Sequence, residues 1–335
     1  MSTTVALIVT LVLAAGTAAF VTPLVRRLAS HVGMVDQVGE RRMHEQPKPR
    51  IGGIAVFLGF AFALFSMLGY LIANHQLRSL ESIHDIIGML FGGILILIVG
   101  VWDDVMGLRP RNKLIAQIVV AGISLLYGFV IFFVENPLHH GALVYFPTLL
   151  AYGITLVWYV GMMNAINFID GLDGLLPGLT AISGASLMVV ELLHGRPELA
   201  LVLAALVGGS LGFLPYNFNP AKIILGDSGA LFIGYIFATI SIAGASKTAI
   251  SISLAIPLIV LALPILDTAA TIVRRTRAGK KITEADRGHF HHQLIFKFGL
   301  NVRQAVLLIY ALCAVLGVVA LIIARGVGPL KLATF

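Results

Sequence analysis

Apolar residues run along this chain in blocks of about twenty, separated by short clusters of glycine, proline, asparagine and charge. A block of that length crosses the roughly 30 Å of hydrocarbon in a bilayer once it is helical, and a helix satisfies its own backbone there. The pattern predicts ten spans, near residues 5–25, 51–73, 86–102, 114–134, 144–163, 175–193, 198–214, 228–245, 249–272 and 304–324. An eleventh requires one of these to be split. The expected fold is an all-α, polytopic membrane helical bundle, one domain over residues 1–335 with no clear internal repeat and no separate soluble part.

Composition agrees with that reading. Hydrophobic residues make up 58% of the 335 positions and charged residues only 12%, about half the usual charged share of a soluble domain. The first block follows "MSTT", with no basic residue before it and Arg26-Arg27 after it, so it reads as a retained helix rather than a signal peptide. Of the 23 lysines and arginines, 18 fall in the loops after odd-numbered spans and 5 on the other side. The positive-inside rule then makes the odd loops cytoplasmic and puts both termini outside. The net charge of +7 lies mostly on that face, where it draws in anionic headgroups or phosphorylated substrates. Nothing resembles a soluble basic domain for nucleic acid. Cys313 is the sole cysteine, which excludes a disulfide framework and a thiolate metal site.

Acidic residues are costly near a bilayer, so the placement of nine aspartates is informative. Asp103 and Asp104 end the third span in "GVWDDVMGLRPRNK", with Arg109, Arg111 and Lys113 following. Adjacent carboxylates at a helix end suit Mg²⁺, which accepts one or two carboxylates with water and phosphate oxygens; Mn²⁺ is the alternative ion. In "NAINFIDGLDGL" the spacing of three between Asn164, Asn167 and Asp170 makes successive members neighbours on a helix, and Asp173-Gly174 offers a turn or a cap. Amides there can read a nucleobase or sugar, and the carboxylates can take hydroxyls, metal or a proton. "PYNFNPAKIILGDSGALFIGY" sets Asn217 and Asn219 before a break, offers Lys222 to a phosphate, and starts the eighth span at Asp227-Ser228. "RRTRAGKKITEADRGHFHHQL" adds a basic run, then Arg287, His289, His291 and His292. Zinc would want cysteine or a compact acidic partner beside those histidines, whereas hydrogen bonds to phosphate oxygens suit so cationic a setting. Asp267, inside the ninth span, either supports the site or binds a cation, or is a buried hydrogen-bonded residue.

Together these clusters place carboxylates, amides, cations and imidazoles on one membrane face, the parts of a phosphoryl transfer. The motifs "VWDD", "NAINFIDGLDGL", "NFNPAKIILGDSGALFIG" and "DRGHFHHQL", with "PKPRIGG" upstream, resemble the polyprenyl-phosphate N-acetylhexosamine-1-phosphate transferase family over about residues 44–300. Within it, "HFHH" and "GDSGALFIGY" look closer to the enzymes that start teichoic acid and O-antigen type glycans from UDP-GlcNAc. The phospho-MurNAc-pentapeptide transferase branch usually has three consecutive histidines, and Phe290 interrupts that run here.

The resemblance implies roles. Asp227 would be the leading Mg²⁺ ligand, with Asp103 and Asp104 beside it and one of these two orienting or deprotonating the lipid phosphate. Asn167, Asp170, Asp173 and Asn217 would hold the uridine, the sugar phosphate and the metal surroundings. His289, His291, His292 and Arg287 would bind the donor pyrophosphate, and the segment from Arg50 to Gly53 would lie near the phosphates. The expected partners are a UDP-N-acetylhexosamine donor, undecaprenyl phosphate and membrane lipid, with a homodimer compatible with the sequence. The implied reaction is attack of the lipid phosphate on the donor's β-phosphorus with release of UMP, in one step or through an aspartyl intermediate. A transporter, the reading from another class, predicts polar groups at the midplane and matched halves, and the sequence has neither.

Overall fold

A computed structural model describes residues 1–36, 48–74, 80–135, 143–246, 255–277 and 289–327. Their elements are helices α1 (Thr3–His31), α2 (Gly53–Ala73), α3 (Leu80–Met106), α4 (Pro110–Leu126), α5 (Thr148–Ile169), α6 (Leu175–Leu193), α7 (Pro197–Asn217), α8 (Gly226–Ser246), α9 (Ala255–Val260), α10 (Ala262–Arg277), α11 (Phe290–Phe296) and α12 (Val302–Val327). Two antiparallel strand pairs accompany them, β1 (Val35–Asp36) with β2 (Lys48–Pro49) and β3 (Phe133–Glu135) with β4 (Leu143–Tyr145).

Each expected span overlaps helix among the described residues, although residues 127–134 of the expected fourth span are turn, loop and strand and residues 249–254 of the ninth lie outside the described residues; the protein is a polytopic helical membrane protein. Among the described residues eight helices are long and apolar enough to cross a bilayer: α1, α2, α3, α5, α6, α7, α8 and α12. The expected fourth span is α4, which has 17 residues and reaches only about 26 Å at 1.5 Å per residue. The expected ninth span is divided at Leu261 into α9 and α10. Pro264 explains the division. It cannot donate to the carbonyl of Val260, and that oxygen is instead approached by Ser183 Oγ of α6 at 3.5 Å.

Helix α8 is the axis of the bundle. Phe232, Tyr235 and Phe237 are fully enclosed, and α2, α3 and α5 pack around it. Three pairs of polar side chains in this interior bond one another, which a medium without water favours. Ser124 of α4 meets Tyr235 Oη at 3.0 Å, Tyr159 of α5 donates to Thr239 at 3.0 Å, and Trp158 donates to Ser241 at 3.0 Å. By contrast α1 and α12 carry rows of exposed apolar side chains, such as Val12, Phe20 and Leu24, and Val315, Val318 and Ile322. Lipid is the natural neighbour of those faces.

Association in lipid depends on close backbone approach, which small residues allow. Helices α1 and α7 meet this way through Gly208 and Gly212. A Cβ on Gly208 would stand 2.3 Å from the Leu11 carbonyl oxygen, and one on Gly212 would stand 2.1 Å from that of Ala15. Gly16 on α1 faces open space. Gly208→Leu is therefore expected to destabilise the protein by about 1–3 kcal/mol or more through overpacking, lowering its melting temperature in detergent, whereas Gly16→Leu leaves the melting temperature near that of the wild type.

Candidate active site

Four helix ends and two loops bring the polar clusters together. The last turn of helix α3 carries Asp103 and Asp104, and Gly107, at φ +68°, turns the chain into α4. The turn is pinned by Asp103, whose Oδ1 accepts the Leu108 N–H at 2.7 Å. Pro110 opens α4, where its missing N–H costs nothing. The first turn of α4 therefore carries Lys113 back over the end of α3.

Helix α8 begins against that corner. Gly226 adopts φ +79°, and a Cβ there would lie 2.5 Å from Asp104 Oδ2. A Cβ on Gly100 would lie 2.4 Å from Ser228 Cα, and one on Gly53 only 2.0 Å from Gly229 N. The start of α8 is thus wedged between α2 and α3 with backbone touching backbone. Its first N–H groups have no partner within the helix. Asp104 supplies one: Oδ1 accepts from Asp227 N at 2.8 Å and Oδ2 from Ser228 N at 3.0 Å. The Asp104 side chain is completely buried, and Oδ1 also meets Arg50 Nε at 3.1 Å.

Arg50 bridges onward, its Nη2 lying 3.0 Å from Asp227 Oδ2. The segment that carries Arg50 is fixed beside α8 by Gly52 N and Gly53 N, which donate to the carbonyls of Ile224 and Leu225 at 3.0 and 2.7 Å. On the other side of Asp227, Lys113 Nζ lies 3.0 Å from Asp227 Oδ1, 2.9 Å from Asp103 Oδ2 and 3.4 Å from Asn167 Oδ1. The Asn167 amide nitrogen donates to Asp227 Oδ1 as well. Asp103, Asp104, Asp227, Asn167 and Arg50, all expected from the sequence, therefore form one network. Lys113, which in the sequence is only one of three basic residues following Asp104, is at its centre.

Asp170 lies beside this network. Burial, then the charges of Asp227 and Asp104, push its carboxyl up to about 8, so at neutral pH it holds its proton and can donate a hydrogen bond.

The remaining expected residues are sorted by their partners. Asn164 turns toward α4, donating to Gln117 Oε1 at 2.7 Å and to the Val160 carbonyl at 2.8 Å. Asn217 joins two loops, accepting from Gly174 N at 3.0 Å and donating to the Ile223 carbonyl at 2.9 Å. Asp173 Oδ2 accepts from Ala221 N at 2.9 Å, Asn219 Nδ2 at 3.3 Å and Lys48 Nζ at 3.0 Å. Asp173 and Asn217 thus hold the loop after α5, the loop after α7 and strand β2 in register. Lys222 is exposed, and its N–H closes a turn onto the Tyr216 carbonyl at 2.8 Å. Arg287 lies outside the described residues.

The histidines form a second group beside the loop after α5. His289 Nδ1 lies 2.8 Å from Asp267 Oδ2, and Asp267 Oδ1 accepts the Phe290 N–H at 2.8 Å, so Asp267 caps α11. His291 stacks on His289 with ring centroids 5.8 Å apart and meets His292 at 4.2 Å with the rings tilted by 46°. Its Nε2 faces Gly171 so closely that a Cβ there would lie 2.1 Å away. Burial pushes the His291 imidazolium down to about 3, aided by the neighbouring histidines. It stands neutral at physiological pH, one N–H donor and one acceptor rather than a cation.

Sequence reasoning also passed over two residues of α12. Tyr310 Oη donates to the Gly174 carbonyl, and Arg303 Nε donates to the Asn219 carbonyl at 3.0 Å. Their spacing of seven puts both on one helical face, a signal visible only once the loops they hold are known.

The donor set around Lys113 is made of oxygen: two carboxylates and an amide carbonyl meeting at one cation. That chemistry fits Mg²⁺ or Mn²⁺, which prefer hard oxygen ligands. Among the described residues no three His, Cys, Asp or Glu side chains already converge as a metal cluster, because Asn167 and Lys113 complete the group.

Comparison with known proteins gives this arrangement a family. The description "Glycosyl transferase family 4" matches residues 86–245, from α3 through α8. A probable undecaprenyl-phosphate N-acetylglucosaminyl 1-phosphate transferase of Bacillus subtilis (strain 168) is 34% identical over 313 residues, which cover 92% of this chain and 82% of that protein. The chain belongs to glycosyl transferase family 4. A decaprenyl-phosphate N-acetylglucosaminephosphotransferase of Mycolicibacterium smegmatis is 35% identical, covering 87% of this chain and 75% of its own. An undecaprenyl-phosphate alpha-N-acetylglucosaminyl 1-phosphate transferase of Escherichia coli (strain K12) is 30% identical, covering 88% and 78%. The family match contains Asp103, Asp104, Lys113, Asn167, Asp170 and Asp227, and leaves Arg50 and the histidines on either side of it.

The geometry makes Asp104 the clamp of this family 4 site. Asp104→Ala strips two backbone N–H groups at the start of α8 and the partly exposed Arg50 guanidinium of a fully buried acceptor, and is expected to destabilise the protein by about 3–5 kcal/mol. Asp104→Asn keeps one acceptor oxygen and should lose less. Thermal unfolding of both variants in detergent checks the order.

Proposed function

We propose that this protein transfers N-acetylglucosamine-1-phosphate from UDP-GlcNAc to undecaprenyl phosphate, releasing UMP and starting a lipid-linked cell-envelope glycan. The observation that carries the reading is the meeting of Asp103, Asp227, Asn167, Lys113 and Arg50 at one end of α3, α5 and α8. Carboxylates with cations interleaved among them are what a reaction between two phosphate esters needs, since both reactants arrive as anions. The relatives' names support the sugar and the lipid.

The residues divide the work. Asp227, Asp103 and the Asn167 carbonyl oxygen are the ones to hold Mg²⁺ or Mn²⁺. When bound, that ion neutralises charge developing on the pyrophosphate as UMP leaves. Arg50 stays tied to Asp104 and Asp227 and lends a second positive charge on the same side. Asp104, with both oxygens engaged by α8 and Arg50, positions Asp227 rather than reacting itself. The lipid phosphate is already an anion at neutral pH and needs orientation more than deprotonation, a task suited to Lys113 and Arg50. The histidines, on the far side of the loop after α5, would meet the donor's phosphates, His291 through a neutral N–H group.

An apolar groove of about 650 Å³ runs between α5 and α10, lined by Ile154, Val157, Trp158, Met162, Ile265 and Ile272. It continues to Ala165, one residue beyond Asn164, and so approaches the polar end of α5. It suits the first isoprene units of the polyprenyl chain, which would bring the phosphate in from the bilayer while the nucleotide sugar arrives from water. The loop charges support a plasma-membrane protein with this site on the cytoplasmic side.

Purified protein in detergent, given undecaprenyl phosphate and a panel of UDP-N-acetylhexosamines, should release UMP most readily from UDP-GlcNAc. Chelation of divalent ions should abolish release, and Asp227→Ala should lower it by about 10³-fold or more. Release that persists in the chelated Asp227→Ala protein would contradict the proposal.

A further inference from the structure

Lys113 occupies the place where three helices offer oxygen to a cation. Asp103 Oδ2 on α3, Asp227 Oδ1 on α8 and Asn167 Oδ1 on α5 lie 2.9, 3.0 and 3.4 Å from its ammonium nitrogen. No single helix could assemble this cage, and the ammonium holds the two carboxylates together against their mutual repulsion. Arg50 meets Asp227 through the other carboxylate oxygen, Oδ2. The two cations are therefore not equivalent toward anything that seeks the Oδ1 side.

They also differ in freedom. Arg50 is anchored at both ends: its guanidinium bridges Asp104 and Asp227, and its backbone neighbours Gly52 and Gly53 are bonded to the chain that leads into α8. Lys113 reaches its partners on a flexible four-carbon stem from the first turn of α4; at 16% its side chain is less exposed than that of Arg50 at 30%, so the difference lies in the stem and the anchoring and not in access to water. A lysine is a compact point charge that can swing away, whereas a forked guanidinium held by two carboxylates cannot do so without breaking both contacts. Two positive charges cannot share these oxygens at contact distance, because in a partly buried site their repulsion is only weakly screened.

We propose that Lys113 is an exchangeable cation: it holds Asp103, Asp227 and Asn167 in place until a divalent ion enters, then yields those oxygens to it. The inference rests on the metal reading above, but it concerns the competition between Lys113 and the ion and not the transfer reaction. It assigns Lys113 an effect opposite in sign to that of a scaffold. Removing a scaffold weakens metal binding, while removing a competitor strengthens it.

The test uses Mn²⁺ alone, without nucleotide sugar or lipid phosphate. Free Mn²⁺ is titrated by electron paramagnetic resonance into the full chain purified in detergent, as wild type and as Lys113→Met, which keeps the length of the side chain and removes its charge. The dissociation constant is expected to fall about tenfold or more in Lys113→Met. An unchanged or larger constant overturns the proposal. Should the variant not fold, the wild type carries the same test: Lys113 is acylated by an amine-reactive reagent and followed by mass spectrometry. Mn²⁺ is expected to speed its modification severalfold as the ammonium leaves its three oxygens, and an unchanged or slower rate overturns the exchange. A wild-type protein that binds no Mn²⁺ overturns the metal reading itself, and UMP release that does not depend on metal identifies that case.

Discussion

The buried start of α8 is the constraint on which the site depends. A helix that begins inside a membrane protein exposes N–H groups that water cannot reach, and each one left unpaired costs several kcal/mol. Here α3 supplies the acceptor, the carboxylate of Asp104 taking the N–H groups of Asp227 and Ser228. The bond forms only because Gly53, Gly100 and Gly226 carry no side chain where the backbones touch. The Asp227 side chain is then presented at a fixed place between Arg50 and Lys113. Substrate chemistry and helix packing share one residue pair, with Asp104 taking the start of α8 and Arg50, and Asp103 taking the turn after α3 and Lys113.

The same economy appears in the loops. Asp173 and Asn217 bond the loops after α5 and α7 to each other and to strand β2, and Arg303 and Tyr310 of α12 hold those loops from behind. Short loops with polar contacts on every side keep a catalytic geometry that helices alone would not fix. The histidine group then attaches through the contact of His291 with Gly171 and the cap that Asp267 places on α11.

Much of this was legible in the sequence, and what was not has physical causes. Apolar block length reports helices well because the bilayer sets the length, so the positions of the spans agreed closely. It could not foresee that α4 stops at Leu126, or that Pro264 and Ser183 divide the ninth span, since the second depends on a partner from another helix. The acidic clusters were visible because charge in an apolar chain is conspicuous. Their division of labour was not, because it depends on which carboxylate meets the N–H groups of a helix more than a hundred residues away. Lys113 was hidden for the same reason: among Arg109 and Arg111 it is an ordinary interfacial charge until the turn at Gly107 carries it over Asp103. Asp173 and Asn217 were expected to hold substrate, and the structure shows them bonding loops to one another, because the residue types that bind a nucleotide are also those that pin loops.

In the proposed function, a site built of carboxylates with cations between them receives phosphorus and lets a nucleotide leave. The central claim is that phosphorus, and not the sugar alone, passes to the lipid. The most direct measurement supplies purified protein with UDP-GlcNAc carrying radiophosphorus at the β position, together with undecaprenyl phosphate, and then separates lipid from water. The account predicts that the label moves into the lipid phase while unlabelled UMP appears in the aqueous phase. Label that stays in the water as UDP, with the sugar alone in the lipid, would contradict it.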